Sequence, residues 1–186
     1  MRIISGKFKG KFLHYIKNKT TRPLKDSVKE NIFNILNHSE KFKTKIENSN
    51  ILDLYSGIGS FGLECLSRGA RMATFIEENS DVIKILKDNI IRLSCSHQSL
   101  VINKKIECIN NISKKKKYNV IFLDPPYKNK YLNLDLKLIK QKEIFTKNHL
   151  IIIHREKKTD DDFGENFQPI MIRKYGRSKI IFGNFI

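Results

Sequence analysis

Residues 120–127, Val-Ile-Phe-Leu-Asp-Pro-Pro-Tyr, constrain the fold more than any other stretch of the chain. Val120, Ile121, Phe122 and Leu123 form a continuous apolar run, the pattern of a parallel strand covered on both faces. Pro125 and Pro126 lack an N–H and cannot extend that strand inside a sheet. Pro126 also keeps Pro125 out of the helical region, so the turn is stiff. A buried strand therefore has to end at Asp124, and open α/β sheets bind their ligands at that edge. The Asp124 carboxylate and the Pro125 carbonyl are acceptors without a competing N–H, which suits an amino group with two donors. Pro126 and Tyr127 stand beside them, and Tyr127 can stack on the ring that carries such an amino group. A purely structural turn, with Asp124 capping local amides, is the alternative.

A second strand-to-turn unit lies upstream. Ile51-Leu52-Asp53-Leu54 runs into Tyr55-Ser56-Gly57-Ile58-Gly59-Ser60-Phe61-Gly62, and a helix through Cys65 and Leu66 follows, with Gly69 able to end it. Gly57 and Gly59 let a ligand approach the backbone, and the helix start adds free N–H groups. Gly57, Gly59 and Gly62 match the dinucleotide fingerprint formally. Asp53 changes its meaning, because a carboxylate there repels a pyrophosphate and suits a cationic ligand end such as that of S-adenosylmethionine. Tyr55, Gly57 and Gly59 are thus candidate cofactor contacts, unless the segment is only a tight turn. Glu77 closes the next strand, residues 73–77, and is placed to accept from ribose hydroxyls. Glu78 is its alternative.

The remaining chain reads as follows. Residues 1–13 are basic and punctuated by Gly6 and Gly10, which predicts a small hairpin. Arg2, Lys7 and Lys9, with Phe8 and Phe12, make either a nucleic-acid surface or a charged edge over packed rings. After the loop Thr21-Arg22-Pro23-Leu24 a helix begins, capped by Asp26 or by a Ser27/Glu30 capping box. Val28, Ile32, Ile35 and Leu36 share a face; Lys25, Lys29 and Asn31 are expected to meet solvent or ligand. Residues 37–50 read as a polar linker. Val82, Ile85, Leu86, Ile90 and Leu93 mark a covering helix, and residues 104–111 a weak third strand whose Asn110 or Asn111 can meet an adenine edge. Leu132, Leu134, Leu136, Leu138 and Ile139 mark another helix, 150–154 a fifth strand, and 170–175 with 179–182 an antiparallel pair around Gly176.

Composition narrows the partners. The 186 residues suit one domain of ordinary size. The division expected is a basic extension, residues 1–45, ahead of a main domain, residues 46–186. Lys and Arg total 36 against 19 Asp and Glu, a net charge of +17, and up to residue 50 the count is twelve against four. Such an excess favours a polyanion. Three cysteines without a C-x-x-C argue against a disulfide scaffold or structural zinc, and the five scattered histidines show no metal-ligand spacing. No long apolar run is present, so a cytoplasmic location without membrane contact is expected.

The two turns together describe methyl transfer to an exocyclic nitrogen. On Met1-Arg2-Ile3-Ile4-Ser5-Gly6-Lys7-Phe8-Lys9-Gly10, Thr21-Arg22-Pro23, the helix from Asp26, the Asp53 to Glu64 turn, Phe75-Ile76-Glu77 and Asp124-Pro125-Pro126-Tyr127, the chain resembles the RsmD family. These bacterial methyltransferases modify a guanine N2 of small-subunit (16S) ribosomal RNA. The resemblance implies a class I methyltransferase fold (α/β, Rossmann-like) with a mostly parallel seven-stranded sheet. It implies S-adenosylmethionine over Gly57 and Gly59, Glu77 on the ribose, and Asp124, Pro125 and Tyr127 around the guanine; Asn111 joins the candidate cofactor contacts on the residue reading alone. Arg2, Lys7, Lys9, Arg22 and Pro126 become candidate substrate contacts. The implied substrate is an assembled small-subunit particle including ribosomal protein, and a monomer is expected. Lys29 stands where the family usually has arginine, Leu24 and Lys25 where it favours small polar residues, and His154 where an acid is usual. The rivals are a DNA amino methyltransferase, a protein glutamine methyltransferase and a non-enzymatic RNA-binding module. An NAD-dependent enzyme is disfavoured by Asp53.

Overall fold

The computed structural model describes residues 1–15, 24–126 and 131–186. Seven strands, β1 Asn50–Leu54, β2 Met72–Glu77, β3 Ser99–Asn103, β4 Tyr118–Leu123, β5 Phe145–Glu156, β6 Phe167–Tyr175 and β7 Ser178–Phe185, form one sheet in the order β3-β2-β1-β4-β5-β7-β6. The first five run parallel, and β7 lies antiparallel between β5 and β6. Helices α1 Asp26–His38, α2 Ser60–Ser67, α3 Ser80–Arg92 and α4 Leu132–Lys142 cover it. Among the described residues no helix is long and apolar enough to cross a membrane.

Side-chain alternation along the strands divides the core in two. Ile51, Phe75, Val120, Phe122, Ile152 and Phe182 face α1, α2, α3 and the N-terminal segment. Leu52, Leu54, Ile121, Leu123, Ile151 and Ile153 face α4. Burial on both faces explains why the central strands read as unbroken apolar runs. Phe33, Phe61 and Phe122 stack in a column, with centroids 5.5 and 4.1 Å apart, joining α1 to α2 and the sheet.

Residues 1–13 curl into the expected hairpin. The Ile3 amide donates to the Lys11 carbonyl at 2.9 Å and the Leu13 amide to Met1 at 3.1 Å. Ile3, Phe8 and Leu13 are buried in the same core as the sheet, whereas Phe12 stays 68% exposed. Gly6 has φ +81°, and a Cβ there would stand 1.8 Å from the Ser67 carbonyl oxygen, so only glycine lets the hairpin lie on the end of α2.

Four expectations need correction. The third strand is Ser99–Asn103, not 104–111; the apolar residues Leu100, Val101 and Ile102 precede Lys104 and Lys105, and Ile106–Asn111 coil into a 3₁₀ turn. Helix α1 is capped by neither Asp26 nor Ser27: its N-cap is Lys25, without a side-chain cap. Lys29 is fully buried rather than free to meet solvent. Residues 37–50 are more than a polar linker, because Phe42 and Ile46 enter the core and Phe42 meets the Phe182 ring at 5.4 Å.

Candidate active site

Parallel register brings the two turns to one edge. Leu54 pairs with Ile76 on one side and Leu123 on the other, so Tyr55, Glu77 and Asp124 leave the sheet side by side. Strand order reverses between β1 and β4, which makes this the topological switch point where such sheets bind ligands.

The glycine turn is held from both sides. Tyr55 turns the chain with φ +57°, and the Ser56 amide donates to the Ile76 carbonyl at 3.0 Å. Glu77 accepts from the Gly57 amide through Oε2 and from the Asn79 amide through Oε1, both at 2.9 Å. A carboxylate has about four acceptor sites, so two remain for a ligand's hydroxyls. Gly57 has φ +54° and nothing within 4 Å of where a Cβ would stand. That open cradle beside a half-used carboxylate fits the ribose end of S-adenosylmethionine. Gly59 caps α2 with φ +85°.

Asp53 lies inside the fold, not on the open surface of the turn. Strand parity puts it with Ile51 beneath α2, 1% exposed, where its Oδ2 accepts from the Gly62 amide at 2.9 Å. Burial pushes its carboxyl well above the ordinary range; the Gly62 hydrogen bond opposes this, and the charges of Asp124 and Glu77 add to it. Tyr55 donates its hydroxyl to Asp135 Oδ2 of α4 at 2.9 Å. Both line a groove of about 540 Å³ with Ile106, Glu107 and Tyr131.

Asn111 is not brought to the glycine turn. It lines a cleft of about 280 Å³ that includes Leu100 and Tyr118, from the starts of β3 and β4. The asparagine at the ligand edge is Asn103, which pairs with Glu77 and donates to the Glu78 carbonyl at 3.0 Å. The apolar run Leu100-Val101-Ile102, closed by Asn103, carried that signal in the sequence.

At the second turn Asp124 is half-buried, Pro125 buried and Pro126 exposed. Tyr127 and Arg22 lie outside the described residues. His154 Nδ1 lies 2.8 Å from Asp124 Oδ1, and Arg155 Nη1 donates to the Pro126 carbonyl at 3.3 Å. Arg155 Nε in turn donates to Asp161 Oδ1 at 2.7 Å, and Lys179 Nζ lies 2.8 Å from Asp161 Oδ2. Burial raises the Asp161 carboxyl, but hydrogen bonds from Lys179, Arg155 and Thr159 outweigh it and hold it below its ordinary value.

The basic hairpin spans the depth of the sheet. Buried Asn89 takes the His14 amide on Oδ1 at 2.8 Å and donates to the Ile58 carbonyl of the glycine turn at 3.3 Å. Lys7 Nζ donates to Gln98 at 2.8 Å, just before β3 and so at the opposite end of the strands. Arg2, Lys7 and Lys9 are all exposed. Glu64, fully buried, anchors the hairpin: it accepts from the Ile4 and Ser5 amides at 2.8 and 3.0 Å and pairs with Lys29 at 3.4 Å and Arg68 at 2.8 Å.

Residues 1–184 match the family model described as conserved hypothetical protein 95. The chain belongs to this family. It is 33% identical over 156 residues to ribosomal RNA small subunit methyltransferase D of Buchnera aphidicola subsp. Baizongia pistaciae, across 84% of this chain and 76% of that protein. The identity is 34% over 159 residues to the protein of the same name in Haemophilus influenzae, across 84% of this chain and 79% of the relative. The putative methyltransferase yhhF of Escherichia coli superposes with a TM-score of 0.81 at 26% identity, covering 100% of this chain and 97% of that structure. The sheet order and these relatives together make the fold that of a class I methyltransferase.

Proposed function

We propose that this protein transfers a methyl group from S-adenosylmethionine to the exocyclic N2 of a guanine in small-subunit (16S) ribosomal RNA, within an assembled particle that includes ribosomal protein. It acts as a monomer in the cytoplasm. The observation that carries the reading is the shared edge: Gly57 and Glu77 on one side, and Asp124, Pro125 and Pro126 on the other, across the β1–β4 switch point. The two relatives named ribosomal RNA small subunit methyltransferase D support the substrate class.

When bound, S-adenosylmethionine supplies an electrophilic methyl whose departing sulfur keeps the C–S bonding pair. Glu77 holds the ribose, and the open backbone at Gly57 receives the adjoining atoms. Asp124 and the Pro125 carbonyl accept from the guanine amino group and aim its lone pair. That nitrogen is a poor nucleophile, since its lone pair is delocalised into the ring. Fixed acceptors stabilise the positive charge it gains as the N–C bond forms. Asp124 then takes, or passes to solvent, the proton the nitrogen sheds. Arg2, Lys7 and Lys9 serve the RNA backbone, and Pro126 borders the base.

The test is methyl transfer from labelled S-adenosylmethionine to small subunits and to free RNA from a strain lacking the enzyme, with nucleoside analysis. N2-methylguanosine from the wild type, reduced by at least about 100-fold in Asp124→Ala, is expected for removal of a transition-state acceptor. Methyladenine or methylated protein overturns the guanine assignment.

A further inference from the structure

Pro125 and Pro126 create a problem for Asp124. An aspartate at a turn is usually fixed by the amide two residues on, and here that residue is a proline without an N–H. The residue between is also a proline. The two residues that follow Asp124 therefore offer its carboxylate no backbone N–H.

Help comes from β5. Leu123 pairs with Ile153, so the next residue on each strand, Asp124 and His154, emerge as neighbours. His154 Nδ1 sits 2.8 Å from Asp124 Oδ1, and its side chain is 6% exposed against 21% for Asp124. His154 is itself fixed by pairing with Ile180 of β7. An acceptor-only carboxylate at that distance requires a proton on Nδ1, which assigns the donor to the imidazole. The following residue completes the grip: Arg155 donates to the Pro126 carbonyl and is braced by Asp161, itself held by Lys179. The end of β5 thus holds the turn by both its carboxylate and its backbone.

We propose that His154 is a positioning residue for methyl transfer, acting through Asp124: by donating to Oδ1 it fixes the carboxylate and reserves Oδ2 for the substrate amine. This rests on the reading of Asp124 as the amine's acceptor. His154 touches neither substrate in this account, so its removal slows the chemical step without weakening binding.

The test compares wild type, His154→Asn, His154→Gln, His154→Leu and Asp124→Ala in steady-state methyl transfer to undermethylated small subunits. S-adenosylmethionine affinity is measured separately by calorimetry. Asparagine places its NH2 near the position of Nδ1, whereas glutamine places it near Nε2. Loss of a hydrogen bond to a charged group corresponds to about a 10- to 100-fold fall in kcat for His154→Leu, with KM for both substrates within about twofold. His154→Asn is expected to recover most of that activity and to exceed His154→Gln. Equal kcat for the Asn and Gln variants overturns the proposal even if the Leu variant fails to fold. So does a fall in His154→Leu that appears as KM or as weakened cofactor binding. Full activity in Asp124→Ala overturns the acceptor reading itself, which separates the two failures.

Discussion

The buried carboxyl of Asp53 makes its own titration visible. Its pKa is raised on folding, chiefly by burial. Such a group contributes its full stability below the unfolded value, about 3.9, and loses it as pH rises through the folded one. Asparagine keeps an acceptor for the Gly62 amide at this position and has no such titration. The melting temperature of Asp53→Asn relative to wild type is therefore expected to rise between pH 5 and pH 8, and to level off once Asp53 ionises in the folded protein. A fixed packing cost for the amide shifts this difference without changing its slope. A pH-independent difference would show that the carboxyl titrates normally.

At the scale of elements, the hairpin's attachment is the feature that periodicity does not reveal. Glu64 is an acid inside an apolar helix, and its sequence setting does not distinguish a surface charge from an anchor. Its four donors come from positions 4, 5, 29 and 68. Lys29 is equally opaque, since only the fold shows that it also donates to the Arg2 carbonyl at 2.8 Å. By contrast, Val120 to Pro126 and the glycine turn are legible because prolines, glycines and continuous apolar runs act locally. Asn111 is a misleading candidate because two lysines after Asn103 hide where β3 ends, and the role of His154 is hidden because it depends on register across two strands. The anchor makes an ordered prediction. Glu64→Ala leaves the Lys29 ammonium buried and strands two amides, and is expected to cost about 3–5 kcal/mol. Lys29→Met leaves Glu64 its Arg68 partner and both amide donors, so it is expected to cost clearly less. Chemical denaturation of both variants checks the order, and equal costs would show that the pair, rather than the four-donor hub, holds the hairpin.

Taken whole, the molecule separates its chemistry from part of its charge. Asp124 and Glu77 lie at the C-terminal ends of the strands, while Lys7 is tied to Gln98 at their N-terminal ends. A five-residue strand spans about 16 Å, roughly two Debye lengths at physiological salt. Lys7 therefore contributes little to a small substrate confined to the active edge. In the proposed reaction its charge would serve instead a polyanion large enough to extend along the hairpin, as an assembled particle is. If so, binding to small subunits is expected to weaken in Lys7→Ala/Lys9→Ala, and the slope of log affinity against log salt to fall by about 0.7–0.9 for each phosphate no longer neutralised. The kcat at saturating subunits should stay at the wild-type level, because Lys7 is tied at the end of the strands opposite the transfer turn and Lys9 lies two residues from Lys7. Asp124→Ala should show the converse, an unchanged salt slope with turnover reduced by at least about 100-fold. Filter binding at several salt concentrations, paired with turnover, tests this. An unaltered salt slope in the double lysine variant would move the docking surface off the hairpin tip and toward Arg2 and exposed Phe12.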